Sequence, residues 1–571
     1  MRRTLASLMV VIGSAGCAVS GCGSSRDGFD QGSGPGLGGS SDPNAPFADG
    51  GAGGGTPLSC KGLRSGTKSS AGCDYYVVTP DVILDGAGAC FAAFITNTWT
   101  EPVSIAVEYA GQTLDATKFS YIPTGAGQAT SYAPLPGGQI PAGQVAVVFL
   151  NRKPGLLSTF GLNLDCPKGV TPAITNLDSA THGTGMGQAF HITTSAAVAA
   201  YDMFPYGGGQ SAMTSATLLL PVTSWDTNYV AVDAFGPGPF AQPFIQIVGQ
   251  QDGTEVIISA SADIAGGNGV APGKKGTPQT YVINKGQVLQ LTQDAALAGS
   301  IVQSNVPIGL WGGKSSLGIE SCCSDTGHQQ IPPVRALGSE YVGVRYRNRY
   351  DGKEESPPWR IIGAAKGIVL TWEPSVPAGA PTSLDLGQVT QWSGAGPFVV
   401  KSQDAQHPFY MSAHMTGAGA FDPDQTDGRG DPEFVNVIPP GEYLSSYVFF
   451  TDPTYSETNL VLVRTKGKDG AFADVNLDCA GVLGGWQALG GGYEFTRIDL
   501  VRHNFAPQGN CNNGRHEIHS DNPFGLTVWG WGSAETGKAG IGFNTQYVSY
   551  AYPGGANVQP INSVVIPAVV R

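Results

Sequence analysis

Charge is what this chain of 571 residues has little of: Asp, Glu, Lys and Arg together make up 13% of it. No long stretch carries the Ala, Glu, Lys and Leu richness of a helical bundle, so a body built of long helices is excluded. Basic residues are the scarcer sign. The 31 Lys and Arg against 44 Asp and Glu leave a formal net charge of −13. Such a surface repels phosphate backbones, which argues against nucleic acid as a partner. Long apolar runs are also missing, and no stretch after the N-terminus is apolar enough to span a membrane as a helix. There is no CxxC pair for zinc or thiol redox chemistry, no GxSxG elbow and no HExxH zinc motif.

Glycine and proline are abundant, with 83 and 40 residues, beside 41% hydrophobic residues. That mixture suits many short strands and turns. The length predicts roughly four modules.

One stretch organises the rest. His516-Glu517-Ile518-His519-Ser520-Asp521-Asn522-Pro523, followed by Phe524 to Ser533, reads as a strand, a tight turn and an aromatic strand. Versions of it recur at Phe190 to Gly208, Ser300 to Ser315 and Phe398 to Gly417, anchored at Ser195, Ser304, Ser402 and Ser520. The period, roughly 100–120 residues, exceeds that of the short solenoid and propeller repeats. Each module also opens on a similar phrase, a proline-containing lead followed by Tyr-Val or a near relative, as at Tyr229-Val230 and Tyr341-Val342. Six or seven short strands per hundred residues favour an all-β fold of tandem antiparallel sandwich-like modules. The alternative is a propeller-like ring. A Gly/Ser-rich tether is expected to precede the modules as a disordered segment.

Met1-Arg2-Arg3 and the small, apolar Thr4 to Ser20 lead into Val19-Ser20-Gly21-Cys22. This resembles a bacterial lipoprotein signal, in which Cys22 is lipidated and becomes the new N-terminus. Acyl chains would hold it on a membrane at ~0.8 kcal/mol per buried methylene. The following Gly, Ser, Asp and Pro-rich segment has a mean span on the order of 30 Å, enough to lift a body off a lipid surface. The expected division is a signal peptide over 1–21, a flexible linker over 22–58, modules over 59–216, 217–330, 331–434 and 435–557, and a tail over 558–571.

Eight cysteines remain after Cys22: Cys60, Cys73, Cys90, Cys166, Cys322, Cys323, Cys479 and Cys511. An even count in an exported chain reads as disulfides. Local order favours Cys60–Cys73, Cys90–Cys166 and Cys479–Cys511. Cys322 and Cys323 form either a vicinal pair or two links to distant partners. Leu162-Asn163-Leu164-Asp165-Cys166 returns as Val475-Asn476-Leu477-Asp478-Cys479, so modules one and four share a Cys-bearing element.

Few motifs carry chemistry. Gly312-Gly313-Lys314-Ser315 imitates the end of a phosphate-binding loop, but Ile308 stands where that loop needs glycine. His516 and His519 fall on opposite faces of a strand. Asp422, Asp424, Asp427 and Asp431, with Gly428 among them, are the best ligand cluster and would suit calcium, a hard cation wanting many oxygens. No other cofactor is expected. Arg429-Gly430-Asp431 matches an integrin tripeptide of a kind common by chance. Trp529 and Trp531 project to one face of their strand, and Phe524, Leu526 and Val528 to the other. If one face is core, the tryptophans are candidate ligand contacts.

With these segments assembled, the chain resembles bacterial lipoproteins carrying the IgGFc-binding N-terminal domain. The resemblance rests on Ser304-Asn305-Val306-Pro307-Ile308 and Ser520-Asp521-Asn522-Pro523-Phe524. It rests also on His328-Gln329-Gln330-Ile331-Pro332-Pro333 followed by Leu337-Gly338-Ser339-Glu340-Tyr341-Val342, and covers roughly residues 70 to 560. It implies an extracellular, β-rich interaction module, and brings no catalytic residues with it. The resulting expectation is a non-enzymatic, exported, lipid-anchored protein of the outer membrane or cell surface, binding an extracellular protein or glycan. The rivals are a secreted hydrolase with a site between modules and a structural envelope protein.

Overall fold

The computed structural model describes residue 60 and residues 68–567, apart from 157–162, 208–210, 212, 236–240, 321–322, 425 and 538–542. Among these residues the only helices are short 3-10 turns, and the rest of the regular structure is antiparallel strand. The strands form where β-branched and aromatic residues cluster between Gly and Pro turns. Thr254–Ser259 alternates buried and exposed along its first residues, as a half-covered strand does. Phe91–Thr96 is buried throughout, because sheet is packed on both of its faces.

The same unit occurs four times. Each has a long strand near its end: Phe190–Phe204, Ile301–Leu317, the pair Phe398–Lys401 and Phe409–Met415, and Gly514–Trp531. The first half of each long strand pairs with the opening strand of its unit, Ala71–Val77, Asp226–Val230, Glu340–Gly343 or Leu444–Thr451. The second half pairs with a different strand, Phe91–Thr96, Pro243–Gly249, Pro358–Gly363 or Glu457–Thr465. On its other side the second half carries a short closing strand: Ser215–Leu218, Asp325–Gln330, Glu433–Asn436 or Ser549–Pro553.

The serine-marked segments are therefore not four hairpins, as the turn-like Ser-Asp-Asn-Pro suggests. In units one, two and four the strand runs on through a bend. Residues 195–197, 305–307 and 521–523 have no ladder partner there. Proline is tolerated at such a position because its missing N–H interrupts no pairing. Only in unit three does the bend open into a turn, between Lys401 and Phe409.

A buried tyrosine holds each bend. The Tyr229, Tyr341 and Tyr447 hydroxyls each accept the N–H three residues earlier, from Asp226, Gly338 and Leu444, at 3.0 Å. Each then donates to a long-strand carbonyl just past the bend: Ile308 at 2.7 Å, Phe409 at 2.6 Å and Phe524. Tyr75 donates to Val198 in the same way at 2.6 Å. This explains the Tyr-Val phrase that opens the modules.

The four closing strands meet at a common centre, each touching two of the others in cyclic order. They belong to different sheets, so side chains rather than ladders satisfy their inner edges. Gln329 Nε2 donates to the Ala216 carbonyl at 2.7 Å, Asn436 Nδ2 to Gln330 at 2.8 Å, Ser549 Oγ to Asp431 at 2.6 Å, and Thr214 Oγ1 to Ser549 at 2.6 Å. Buried edges need such partners. Asp325 and Glu433 lie in the same centre, and burial pushes both carboxyls well above the usual range.

Apolar seams hold neighbouring units together. One joins unit four to unit one through Phe94, Tyr201, Phe449 and Leu526. Another joins unit three to unit four through Trp359, Phe398, Val461 and Trp529. The result, among the described residues, is a four-unit, propeller-like ring of curled sheets. Its first and last units close without a peptide link: Ser70 N donates to the Ala556 carbonyl at 2.8 Å, and Ala556 N to Ser70 Oγ at 3.0 Å. The tail then crosses the other junctions. Gln559 N donates to Glu442, Ile561 N to the Arg335 carbonyl, and Ile566 N to Asn228, each at 2.9 Å.

Two outcomes follow for stability. Tyr341→Phe strands the Gly338 N–H and the Phe409 carbonyl and should cost about 1–3 kcal/mol, read as a lower urea midpoint. Glu442 is pushed up to about 9 by burial. Its folded pKa lies above the unfolded one, so its contribution is complete in acid and is lost as pH rises from about 4.5 towards 9. Glu442→Gln should therefore raise the melting temperature relative to wild type at pH 8 and hardly at pH 4.5.

Candidate ligand-binding cleft at the closing seam

The largest described cavity, about 460 Å³, opens where units one and four meet. The other two described cavities hold about 30 Å³ each, room for little more than a water molecule.

One wall is the segment Gly127 to Tyr132. Gly127 N donates to the Pro453 carbonyl of unit four at 2.8 Å, which ties the wall across the seam. Gly127 has φ +55°, and a β-carbon there would lie 2.9 Å from the Phe505 ring, so glycine is required on both counts. Tyr132 is half-buried. Its hydroxyl shares a 2.8 Å hydrogen bond with that of Tyr206, and its ring stands edge-on to Phe149 at 5.6 Å. The ring is thus fixed before any ligand arrives.

The opposite wall is Asn163 to Lys168, held by the Cys90–Cys166 disulfide. Asn163 Oδ1 accepts Asp165 N at 3.1 Å. Arg152 grips the Asp165 carboxylate through Nε at 3.0 Å and Nη2 at 2.9 Å. Lys168 is exposed, and no described acid pairs with it. Thr454 contributes from unit four, its N and Oγ1 donating to Asp452 Oδ1 at 2.8 and 2.7 Å. Asp452 is buried behind that wall, where burial pushes its carboxyl up to about 6 against these hydrogen bonds.

The residues singled out in the sequence lie elsewhere. Trp529 and Trp531 are buried at 1% and 0% exposure, which overturns their role as ligand contacts. The reason is the ring. Phe524, Leu526 and Val528 face unit one while the tryptophans face unit three, where Tyr346 packs on Trp529 at 4.9 Å, so both faces of the strand are covered.

The four aspartates do not converge either. Asp422 caps its own loop, accepting Asp427 N at 2.7 Å and Gly428 N at 3.0 Å. Asp427 pairs with Arg429 at 2.8 Å, Asp431 is buried at the ring centre, and Asp424 is exposed. Protein donors already use both Asp422 oxygens and one of Asp427, and Asp431 lies apart in the buried centre, so the four do not offer the shared oxygen set calcium needs. Arg429 is tied to Asp427, Glu457 and Glu535, so the Arg-Gly-Asp tripeptide is built into the body.

Disulfides join Cys60–Cys73, Cys90–Cys166 and Cys479–Cys511. Cys22 and Cys322 lie outside the described residues, and Cys323 is half-buried. The one described cluster with three metal-type ligands is Asp478, Cys479 and His516. Its sulfur is in a disulfide, and His516 is held between Asp478 at 3.0 Å and the Asn512 carbonyl at 2.7 Å. Lys314 is fully buried in a strand. A β-carbon on Gly312 would sit 1.8 Å from the Val232 carbonyl, so these glycines serve close packing rather than phosphate binding.

The cleft residues themselves, Gln128, Tyr132, Asn163 and Lys168, carry no motif. The signal that touches them is the Asn-Leu-Asp-Cys echo, which reads as a disulfide element.

A ring of disulfide-stapled β-units with a polar cleft at one seam has the build of an extracellular binding module. The chain belongs to the IgGFc binding protein family, whose model matches residues 215–530. No curated protein and no solved structure gives a significant match. The family match begins at the first closing strand and ends in the last long strand. The cleft wall contributed by unit one lies outside it. No described helix is long and apolar enough to cross a membrane.

From the placement of the aspartates, chelation with EDTA should leave the melting temperature unchanged. A calcium-dependent rise would show that these carboxylates rearrange around an ion.

Proposed function

We propose that the protein is a lipid-anchored, extracytoplasmic capture or adhesion protein, held at the outer membrane or cell surface through Cys22. The tether over 22–58 carries the ring, and the ring binds an extracellular protein or glycan. The observation that carries the reading is the polar 460 Å³ cleft between units one and four, in a chain whose family is one of binding proteins. Ligand sites favour junctions between modules, where loops converge on a rigid frame. The disulfides support an exported location.

A binder is favoured over a hydrolase by the chemistry of the cleft. Asp165 is its one carboxylate among the described lining residues, and Arg152 neutralises it. No histidine stands among the described lining residues, and the two of unit one are engaged elsewhere. His182 bridges Asp178 at 2.9 Å and Asp81 at 3.6 Å, and His191 bridges Asp74 at 2.8 Å and Glu108 at 3.2 Å.

Two measurements test the reading. Cys22→Ala should abolish fatty-acid labelling and move the chain from the membrane to the soluble fraction. Gln128→Trp, an exposed change at the cleft, should leave melting unaltered and remove binding of any ligand found on glycan arrays or immunoglobulin Fc surfaces. Labelling that survives the cysteine change would refute the anchor, and binding that survives the tryptophan would refute the cleft.

A further inference from the structure

We infer that the cleft takes a saccharide bearing an anionic group, a carboxylate or a sulfate, with Lys168 as its counter-charge. The inference deepens the capture reading above and rests on it. It starts from what lines the space.

Gln128 and Asn163 offer amides, and Thr130 and Thr454, whose hydroxyls donate to Gly127 and Asp452, offer oxygen acceptors, so the groove is not apolar. Such groups complement a polyol, whose hydroxyls both donate and accept. Tyr132 and Phe543 supply aromatic surface in the same cleft. Sugar rings lay their C–H faces on such surfaces, which give large contact area at little entropic cost. Tyr132 is already immobilised through Tyr206 and Phe149, so little freedom is lost there on binding. The volume, about 460 Å³, lies in the range of small-ligand sites and is far too small for a folded protein partner.

Charge then selects within the class. The protein as a whole carries −13, yet the described charges of the cleft lining do not follow that sign. Asp165 is bound through two nitrogens by Arg152, which leaves Lys168 as the lining charge in no described ion pair. A neutral sugar would leave that ammonium unused, whereas an anionic substituent gains a charge-assisted hydrogen bond. Lys168 and Asn163 sit on the disulfide-held wall. Asn163 and Gln128, on opposite walls, are placed to take the ring hydroxyls while the acid group turns to Lys168.

These residues precede Ser215, where the family match begins, or, for Phe543, follow its end at Gly530; Thr454 alone lies within it. The selectivity is thus a property of this chain's first unit, not of the shared region.

The test is calorimetry on the full chain with four probes: methyl glucuronide, glucose 6-sulfate, methyl glucoside and glucose. The wild type should bind at least one anionic probe about tenfold more tightly than its neutral counterpart. Lys168→Gln should erase that difference while melting as wild type. Equal affinity for charged and neutral sugars, or a preference that survives Lys168→Gln, overturns the inference. If Gln128→Trp still removes that binding, the capture reading stands without it. A protein ligand that is lost in Gln128→Trp while no sugar binds also overturns this inference alone. If no ligand of either kind responds to Gln128→Trp, both fall.

Discussion

Everything in this ring depends on one backbone constraint: a long strand changes partners at a bend. Each long strand pairs with the opening strand before its bend and with a different partner after it. The bend leaves three residues without a ladder in units one, two and four, and a buried tyrosine hydroxyl spans the gap, taking one orphan N–H and giving to one carbonyl. Buried peptide groups must be paired, so the tyrosine and the bend are two parts of one solution. Repeated four times, it turns each unit through the angle that lets the closing strands converge.

Convergence has consequences for which residues are allowed where. A sheet in a ring is covered on both faces, so aromatic residues that would mark a binding face in a single sandwich become seam. Trp529 and Trp531 are such residues, with Arg347 over the Trp531 ring at 4.7 Å. At the centre, strands from four different sheets meet edge to edge and cannot form ladders. Ser, Thr, Asn and Gln side chains take over, and burial among them pushes the Asp325 and Glu433 carboxyls well above the usual range. Ion pairs reinforce the seams, as where Arg360 of unit three meets Asp233 of unit two at 2.8 Å. Removing one partner of such a pair leaves an uncompensated charge, which is why they come complete.

The cleft sits where this logic relaxes. Units one and four are joined by contact, not by chain, and their loops have to meet across the gap. Gly127 reaches over to Pro453, and the disulfide-held Asn163 to Lys168 segment faces it. Polar loops can line a space here because no apolar seam is required at the rim. The same segment carries the Asn-Leu-Asp-Cys phrase repeated at Asp478. There the equivalent aspartate binds His516 instead of an arginine. Each Asp beside a disulfide thus has a side-chain partner, and in unit one that pairing leaves Lys168 to face the cleft.

Strand content, the recurrence of the unit and the three local disulfides were legible in the sequence, because each is written in neighbouring residues. Tyr-Val at the start of a unit, Ser-x-x-Pro near its end and cysteines a few dozen residues apart need no knowledge of what lies across the molecule. Ser-Asp-Asn-Pro serves a turn and a bend equally well, and only pairing on both sides decides that the strand continues. The burial of the tryptophans, the scattering of the four aspartates and the assembly of Gln128, Tyr132, Asn163, Lys168 and Thr454 around one cleft were decided by tertiary structure alone. Those outcomes depend on which unit comes to lie beside which. That is set by ring closure between residues nearly 490 positions apart, Ser70 and Ala556, a separation over which local pattern carries no information.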